Sequence, residues 1–206
     1  MEYLQEFIKY YHITEEELIS ELKEHAYSTI LKKGEYAIKE DEYITLLKIV
    51  VKGRIRVYQQ YEDKEILVYY LRAMETCILS LSACFEHCKS NVNAVAEENT
   101  VLLNIPVRFV KEWSFNYRSW HDFTINTFRE SLTIMSFNYS KLAFEPLKNR
   151  LLDYIIQESS DSTLYLSHSQ LAKELGTTRE VISRILKKLE QEKKLVLGQK
   201  TIKVLI

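Results

Sequence analysis

At 206 residues, with 46% hydrophobic and 28% charged residues and only four Gly and two Pro, the chain has room for about one large or two small domains and carries no long low-complexity tract. Its first residues, Met1 to Phe7, lack the basic start and unbroken apolar stretch of a secretion signal, and no run approaches the roughly 20 apolar residues of a membrane span, so a cytosolic protein with no membrane partner is expected. The formal net charge of −1 hides an asymmetry: from residue 166 onward nine Lys or Arg stand against four acids, a basic end of +5 on an acidic body of −6, as suits a chain whose end meets a polyanion.

Residues 1–25 read as helical, and Thr14-Glu15-Glu16-Glu17 fits the Thr-x-x-Glu capping box ahead of an acidic first turn. Over 27–106 the texture changes to short β-branched and aromatic runs at 44–51, 54–60, 65–71, 91–96 and 101–105. Gly34, Gly53 and Glu62-Asp63-Lys64 punctuate them as turns, which predicts a compact antiparallel barrel or sandwich. Arg54-Ile55-Arg56-Val57-Tyr58 alternates charged and apolar residues, as a strand with one wet face does.

After Pro106 the period turns helical, and 107–142, free of Gly and Pro, is the longest helical candidate. Within it Ile125, Phe128, Leu132, Met135, Tyr139 and Leu142 recur at spacings of 3, 4, 3, 4 and 3, the rhythm of a coiled-coil seam. Trp113, Tyr117 and Trp120 form a separate apolar stripe that can face the barrel. Two readings stay open: a two-stranded dimer interface through Ile125, Phe128, Leu132, Met135 and Tyr139, or a helix packed on its own domain. Glu145-Pro146 opens a further helix with Pro near its first turn, and Leu147, Leu151, Leu152, Ile155 and Ile156 give it an apolar face.

The pattern over 169–190 fits a helix-turn-helix. Its first helix buries Leu171, Ala172 and Leu175, and Gly176 supplies the freedom for a tight turn. The second opens on Thr177-x-x-Glu180 as a capping box and buries Val181, Ile182, Ile185, Leu186 and Leu189. Ser169, Thr178, Arg179, Glu180, Ser183, Arg184 and Lys187 are left as candidate DNA-binding residues. An Arg fork matches the O6 and N7 acceptors of guanine, and a carboxylate accepts from the cytosine amine. Glu180 has the alternative of serving only as a cap, and Lys187 and Lys188 that of a solvated face. Residues 195–205, turning at Gly198-Gln199-Lys200, read as a terminal β-hairpin, which makes the unit a winged helix.

Nearly the whole chain resembles the Crp/Fnr family of bacterial transcription regulators. Thr178-Arg179-Glu180-Val181-Ile182-Ser183-Arg184-Ile185-Leu186 is similar to the family's recognition helix. Lys33-Gly34-Glu35 and Ile49-Val50-Val51-Lys52-Gly53-Arg54-Ile55-Arg56-Val57 look like two of its barrel segments, and Leu142-Ala143-Phe144 like its junction. The resemblance implies an α+β chain with an N-terminal antiparallel, jelly-roll-like β-roll sensor at 1–112, a dimerisation helix at 113–142 and a winged helix-turn-helix at 143–206. It implies a homodimer on double-stranded DNA, and it admits RNA polymerase as a partner. Glu180 and Arg184 would be the base-reading pair. Ser183 stands as in the Fnr branch and Arg179 as in the Crp branch, so TTGA-like and TGTGA-like half-sites both remain open.

Cyclic-nucleotide-binding members carry a Gly-Glu pair and, further on, Arg-Ser-Ala or Arg-Thr-Ala. The matching effector pocket here is Leu79, Ser80, Leu81, Lys89 and Ser90, with Leu79-Ser80 in place of Gly-Glu and Lys89 in place of Arg. A lysine lacks the guanidinium fork, so cyclic AMP is not the expected effector, and the small-molecule or redox signal stays unidentified. The iron-sulfur branch clusters cysteines near its N-terminus, whereas the first cysteine here is Cys77. Cys77, Cys84, His87 and Cys88 are weak candidates for a metal or redox site, against the alternative of plain thiols. A cupin-like metal enzyme with accessory helices is the competing class. It needs two or more His with a carboxylate on the barrel strands, and of His12, His25, His87, His121 and His168 only His87 lies there, so no catalytic residue is assigned.

Overall fold

Helices α1 (Glu2–Tyr10) and α2 (Glu16–His25) precede strands β1 (Tyr27–Leu31), β2 (Tyr36–Ile38), β3 (Leu46–Lys52), β4 (Ile55–Tyr61) and β5 (Lys64–Leu71) in a computed structural model that describes residues 2–61, 64–86 and 88–205. A short helix α3 (Ile78–Ala83) leads to β6 (Asn93–Ala96) and β7 (Thr100–Pro106), followed by α4 (Val107–Asn116) and α5 (Arg118–Phe144). The remainder comprises α6 (Leu147–Glu158), β8 (Thr163–Leu164), α7 (His168–Glu174), α8 (Arg179–Gln191), β9 (Leu195–Gly198) and β10 (Thr201–Val204). Contacts divide the chain into two units, Met1–Gln59 with Val68–Met135, and Gln60–Leu67 with Ser136–Ile206.

Two antiparallel sheets, β1-β7-β3 and β2-β6-β4-β5, form the roll of the first unit. Strands β3 and β7 are buried on both faces, which is why they read as almost continuous apolar runs. One face of each, Val50 and Leu102, joins Ile55, Val57, Cys77, Val92 and Ala94 inside the roll. The other face, Leu47, Ile49, Leu103 and Ile105, packs with Phe7, Leu18, Leu22, Trp113, Trp120 and Phe123 of the surrounding helices. Trp113 and Trp120 meet edge to face with ring centroids 5.1 Å apart, worth about 0.5–1.5 kcal/mol beyond their burial. Gly53 turns the chain from β3 to β4 at φ +97°, and a Cβ there would lie 2.6 Å from Thr100 Oγ1 and 2.8 Å from Thr100 Cα, so only glycine fits.

Three expectations change. The face of β4 expected to be wet is covered: Arg56 and Tyr58 are buried, with the Arg56 guanidinium 4.5 Å over the Tyr58 ring and the Tyr58 hydroxyl 3.0 Å from that of Tyr36. The Thr14 capping box is absent, because Glu15 is the N-cap of α2 and no side chain caps it. The single helix expected over 107–142 is two, broken where Tyr117 adopts an extended backbone at φ −122° and ψ 123°. Carboxylates from α2 and its N-cap hold the break. Glu21 accepts from the Tyr117 hydroxyl at 2.6 Å and from Trp113 Nε1, while Glu15 accepts the backbone N–H of Ser119 at 3.0 Å together with its hydroxyl, satisfying an orphan donor at the start of α5.

Candidate nucleic-acid interface

The second unit builds one core from six elements: Leu151 and Ile155 of α6, Leu164 of β8, Leu171 and Ala172 of α7, Ile182, Leu186 and Leu189 of α8, and Leu195, Ile202 and Val204 of the β9-β10 hairpin. Ser167 caps α7 in a capping box with Gln170, its Oγ accepting from Gln170 N at 3.2 Å and its N–H donating to Gln170 Oε1 at 2.9 Å. Gly176 makes the turn at φ +62°. The hairpin is tied to the end of α8 by Leu197 N donating to Glu190 Oε1 at 2.9 Å, and α6 to α8 by the Lys148–Glu192 ion pair at 2.5 Å.

These contacts hold α8, 13 residues and about 20 Å long, with its apolar side spent on the core. Glu180, Arg184 and Lys187 fall at i, i+4 and i+7 on the exposed side, and Thr178, Arg179 and Ser169 are exposed as well. The cap differs from expectation: Thr178, not Thr177, is the N-cap, accepting from Val181 N at 3.4 Å. The Glu180 carboxyl is held below the usual carboxylate range by its own backbone N–H and then by the Thr178 hydroxyl. Glu180 thus ionises readily while remaining exposed, and part of the Thr178 hydroxyl's capacity is spent locally. Ser183 is half-buried, with Oγ 2.8 Å from His168 Nδ1 and 2.8 Å from the Arg179 carbonyl oxygen that accepts its proton. Sequence reasoning missed His168, since fifteen residues of separation carry no periodic signal. It also missed β8, and left Lys200, exposed at the hairpin turn with φ +57°, outside the candidate set.

Along α5, Ile125, Leu132, Met135 and Tyr139 are exposed, whereas Phe128 is half-buried against the core of the first unit. Ile134, Phe137 and Phe144 are exposed away from that seam. In the expected effector stretch Ser80 is buried, Leu81 sits in the helix-facing core and Leu79 packs on the roll interior. Ser90 is buried and spends its hydroxyl on the Val92 carbonyl at 2.7 Å. Lys89 is exposed, its ammonium 5.5 Å over the Tyr43 ring. Inside the roll Tyr69 Oη lies 3.1 Å from Cys77 Sγ.

His87 lies outside the described residues. Cys84 donates to the Ser80 carbonyl at 3.3 Å, and burial pushes its thiol up to about 12, which suppresses the thiolate a metal or an oxidant needs. Among the described residues no group of three or more His, Cys, Asp or Glu could hold a metal ion, and no helix is long and apolar enough to cross a membrane.

Comparison with known proteins finds the Crp-like helix-turn-helix domain over residues 149–205 and the cyclic nucleotide-binding domain over residues 29–116. No curated protein matches the sequence. Among solved structures, a Crp/Fnr family transcriptional regulator from Eubacterium rectale superposes with a TM-score of 0.84 at 24% identity, covering 94% of this chain and 91% of that one. The c-di-GMP responsive global regulator CLP of Xanthomonas campestris gives a TM-score of 0.75 at 18% identity over 92% of this chain and 99% of its own. A mutant of CooA from Carboxydothermus hydrogenoformans gives 0.65 at 20% identity over 94% of each. With a cyclic nucleotide-binding domain followed by a Crp-like helix-turn-helix, and a fold shared along almost its full length, the chain belongs to the Crp/Fnr family of DNA-binding transcription regulators.

Proposed function

We propose that this protein is a cytosolic homodimeric regulator that reads a two-fold symmetric, TGA-core DNA site under the control of a signal other than cyclic AMP. The observation that carries the reading is the exposed Glu180-Arg184-Lys187 stripe on a helix whose opposite side is fully spent on its own core. Arg184 donates two hydrogen bonds to a guanine and Glu180 accepts from a cytosine amine, while Lys187, Arg179 and Ser169 lie where phosphates pass. The exposed apolar residues of α5 supply the dimer contact and the roll, at about 1–112, the sensor. Against cyclic AMP stand Ser80, which offers no carboxylate to a ribose, and Lys89, whose ammonium rests on a surface tyrosine.

The test is equilibrium binding to duplexes bearing two TGA-core half-sites about 34 Å apart, to a single half-site and to a scrambled duplex. The symmetric site is expected to bind at least about a thousand-fold more tightly than the scrambled one. Equal affinity for all three would end the reading.

A further inference from the structure

The side chain of Ser183 lies beside the exposed stripe of α8, on the flank turned toward the first residue of α7, and the structure gives its hydroxyl two partners. The Arg179 carbonyl can only accept, and it lies 2.8 Å from Ser183 Oγ with the geometry of a serine bonded back to the preceding helical turn. His168 Nδ1 lies at the same distance on the other side.

A hydroxyl has one proton and two lone pairs. With the proton committed to Arg179, the bond to His168 runs from Nδ1–H into one of the lone pairs. Were the imidazole in its other tautomer, the proton would go to the ring instead. In either arrangement the proton is used inside the protein, and only lone pairs, one in the first case and two in the second, remain for anything outside.

We infer that His168 is a positioning residue that holds the Ser183 hydroxyl as an acceptor-only group and so restricts which bases the recognition helix takes at the position Ser183 faces; the inference rests on α8 being the DNA-reading helix. In the major groove an acceptor finds partners in the amino groups of adenine N6 and cytosine N4, and meets only other acceptors at guanine O6 and N7 and at thymine O4. A free serine would serve either kind of base by rotating its proton. His168 removes that freedom, because without the ring the side chain of Ser183 can leave the rotamer that reaches the Arg179 carbonyl, and in the other staggered rotamers its proton is free to turn outward.

Long-range proton–nitrogen NMR on the full chain is expected to show His168 protonated at Nδ1, and a ring exchanging between tautomers as in solvent would overturn the clamp. Competition binding then compares all four bases at each pair of a symmetric site. Wild type is expected to favour adenine or cytosine at one position by about two- to ten-fold, the range of a single neutral hydrogen bond. Ser183→Ala and His168→Ala are both expected to flatten that preference, and His168→Asn, whose amide N–H takes the place of Nδ1–H, to restore it. Thermal melting of each variant provides the folding control. A His168→Ala protein with the wild-type base profile overturns the inference. So does an equal loss on every duplex with a shallower salt slope, which would make His168 a phosphate contact. A wild type with no base preference anywhere would bring down the DNA-reading assignment of α8 itself, whereas an Arg184-dependent preference untouched by His168 would sink this inference alone.

Discussion

Leu132→Glu is the sharpest test of the proposed dimer. On α5 Leu132 is 68% exposed, in line with Ile125 at 52%, Met135 at 40%, Tyr139 at 73% and Leu142 at 55%. Complete burial of such an apolar side chain is worth about 1.5–3 kcal/mol, so covering what is left open of Leu132 contributes about 1.5 kcal/mol per helix. A two-fold seam uses each residue twice, and the substitution therefore removes about 3 kcal/mol, a dimer dissociation constant raised about a hundred-fold. Two carboxylates facing each other across the seam add to the loss. Phe128 is a poorer choice, because its ring also packs on the core of its own unit and its replacement would confuse unfolding with dissociation. Sedimentation velocity at micromolar concentration reads the outcome, with Ser140→Glu, an equal charge on the exposed surface off the seam, as the control. A wild type sedimenting as a monomer, or a Leu132→Glu protein dimerising as tightly as wild type, would refute the assignment.

On the DNA side, Arg184→Ala should cost about 1–3 kcal/mol on the preferred site and relax discrimination at one base pair, whereas Lys187→Ala should weaken every duplex alike and shallow the salt slope by about one unit. Competition against single-base variants separates the two, and an Arg184→Ala protein with full base preference would remove Arg184 from the readers. Calorimetry with cyclic AMP should show no micromolar isotherm; a clear one would mean that backbone groups suffice to bind the nucleotide. The clasp on α5 should show in acid. Partial desolvation raises the Glu15 carboxyl, but the hydrogen bonds from the Ser119 side chain and backbone outweigh it and hold the folded pKa at about 2, against an ordinary 4.5. A depressed carboxylate stabilises the fold fully above its unfolded pKa and loses that contribution as pH falls toward the folded one. Urea denaturation of wild type and Glu15→Gln should therefore differ by a constant amount above pH 4.5 and converge below it; parallel curves down to pH 3 would exclude the clasp as the cause.

The helix-turn-helix was legible because its information is local: a 3.6-residue apolar period, a glycine at the turn and a cluster of cations occupy 22 adjacent residues. The same holds for the roll, whose turn residues and β-branched runs repeat at short range. What the sequence did not disclose are relations between residues distant in the chain. Tyr117 lies in a segment with no Gly or Pro and reads as helix, yet two carboxylates about a hundred positions earlier pull it into an extended backbone and start a new helix at Arg118. Arg56 alternates like a residue facing water but lies buried against Tyr58. The Thr177 and Thr178 pair offers two caps, and only the path of the chain through the Gly176 turn selects the second. His168 and Ser183 look unrelated until α7 and α8 pack. Periodicity records which side of an element is apolar, because burial rewards every residue of that side alike; a hydrogen bond or a cation–aromatic contact rewards one pair of atoms, and only the folded backbone decides which pair meets.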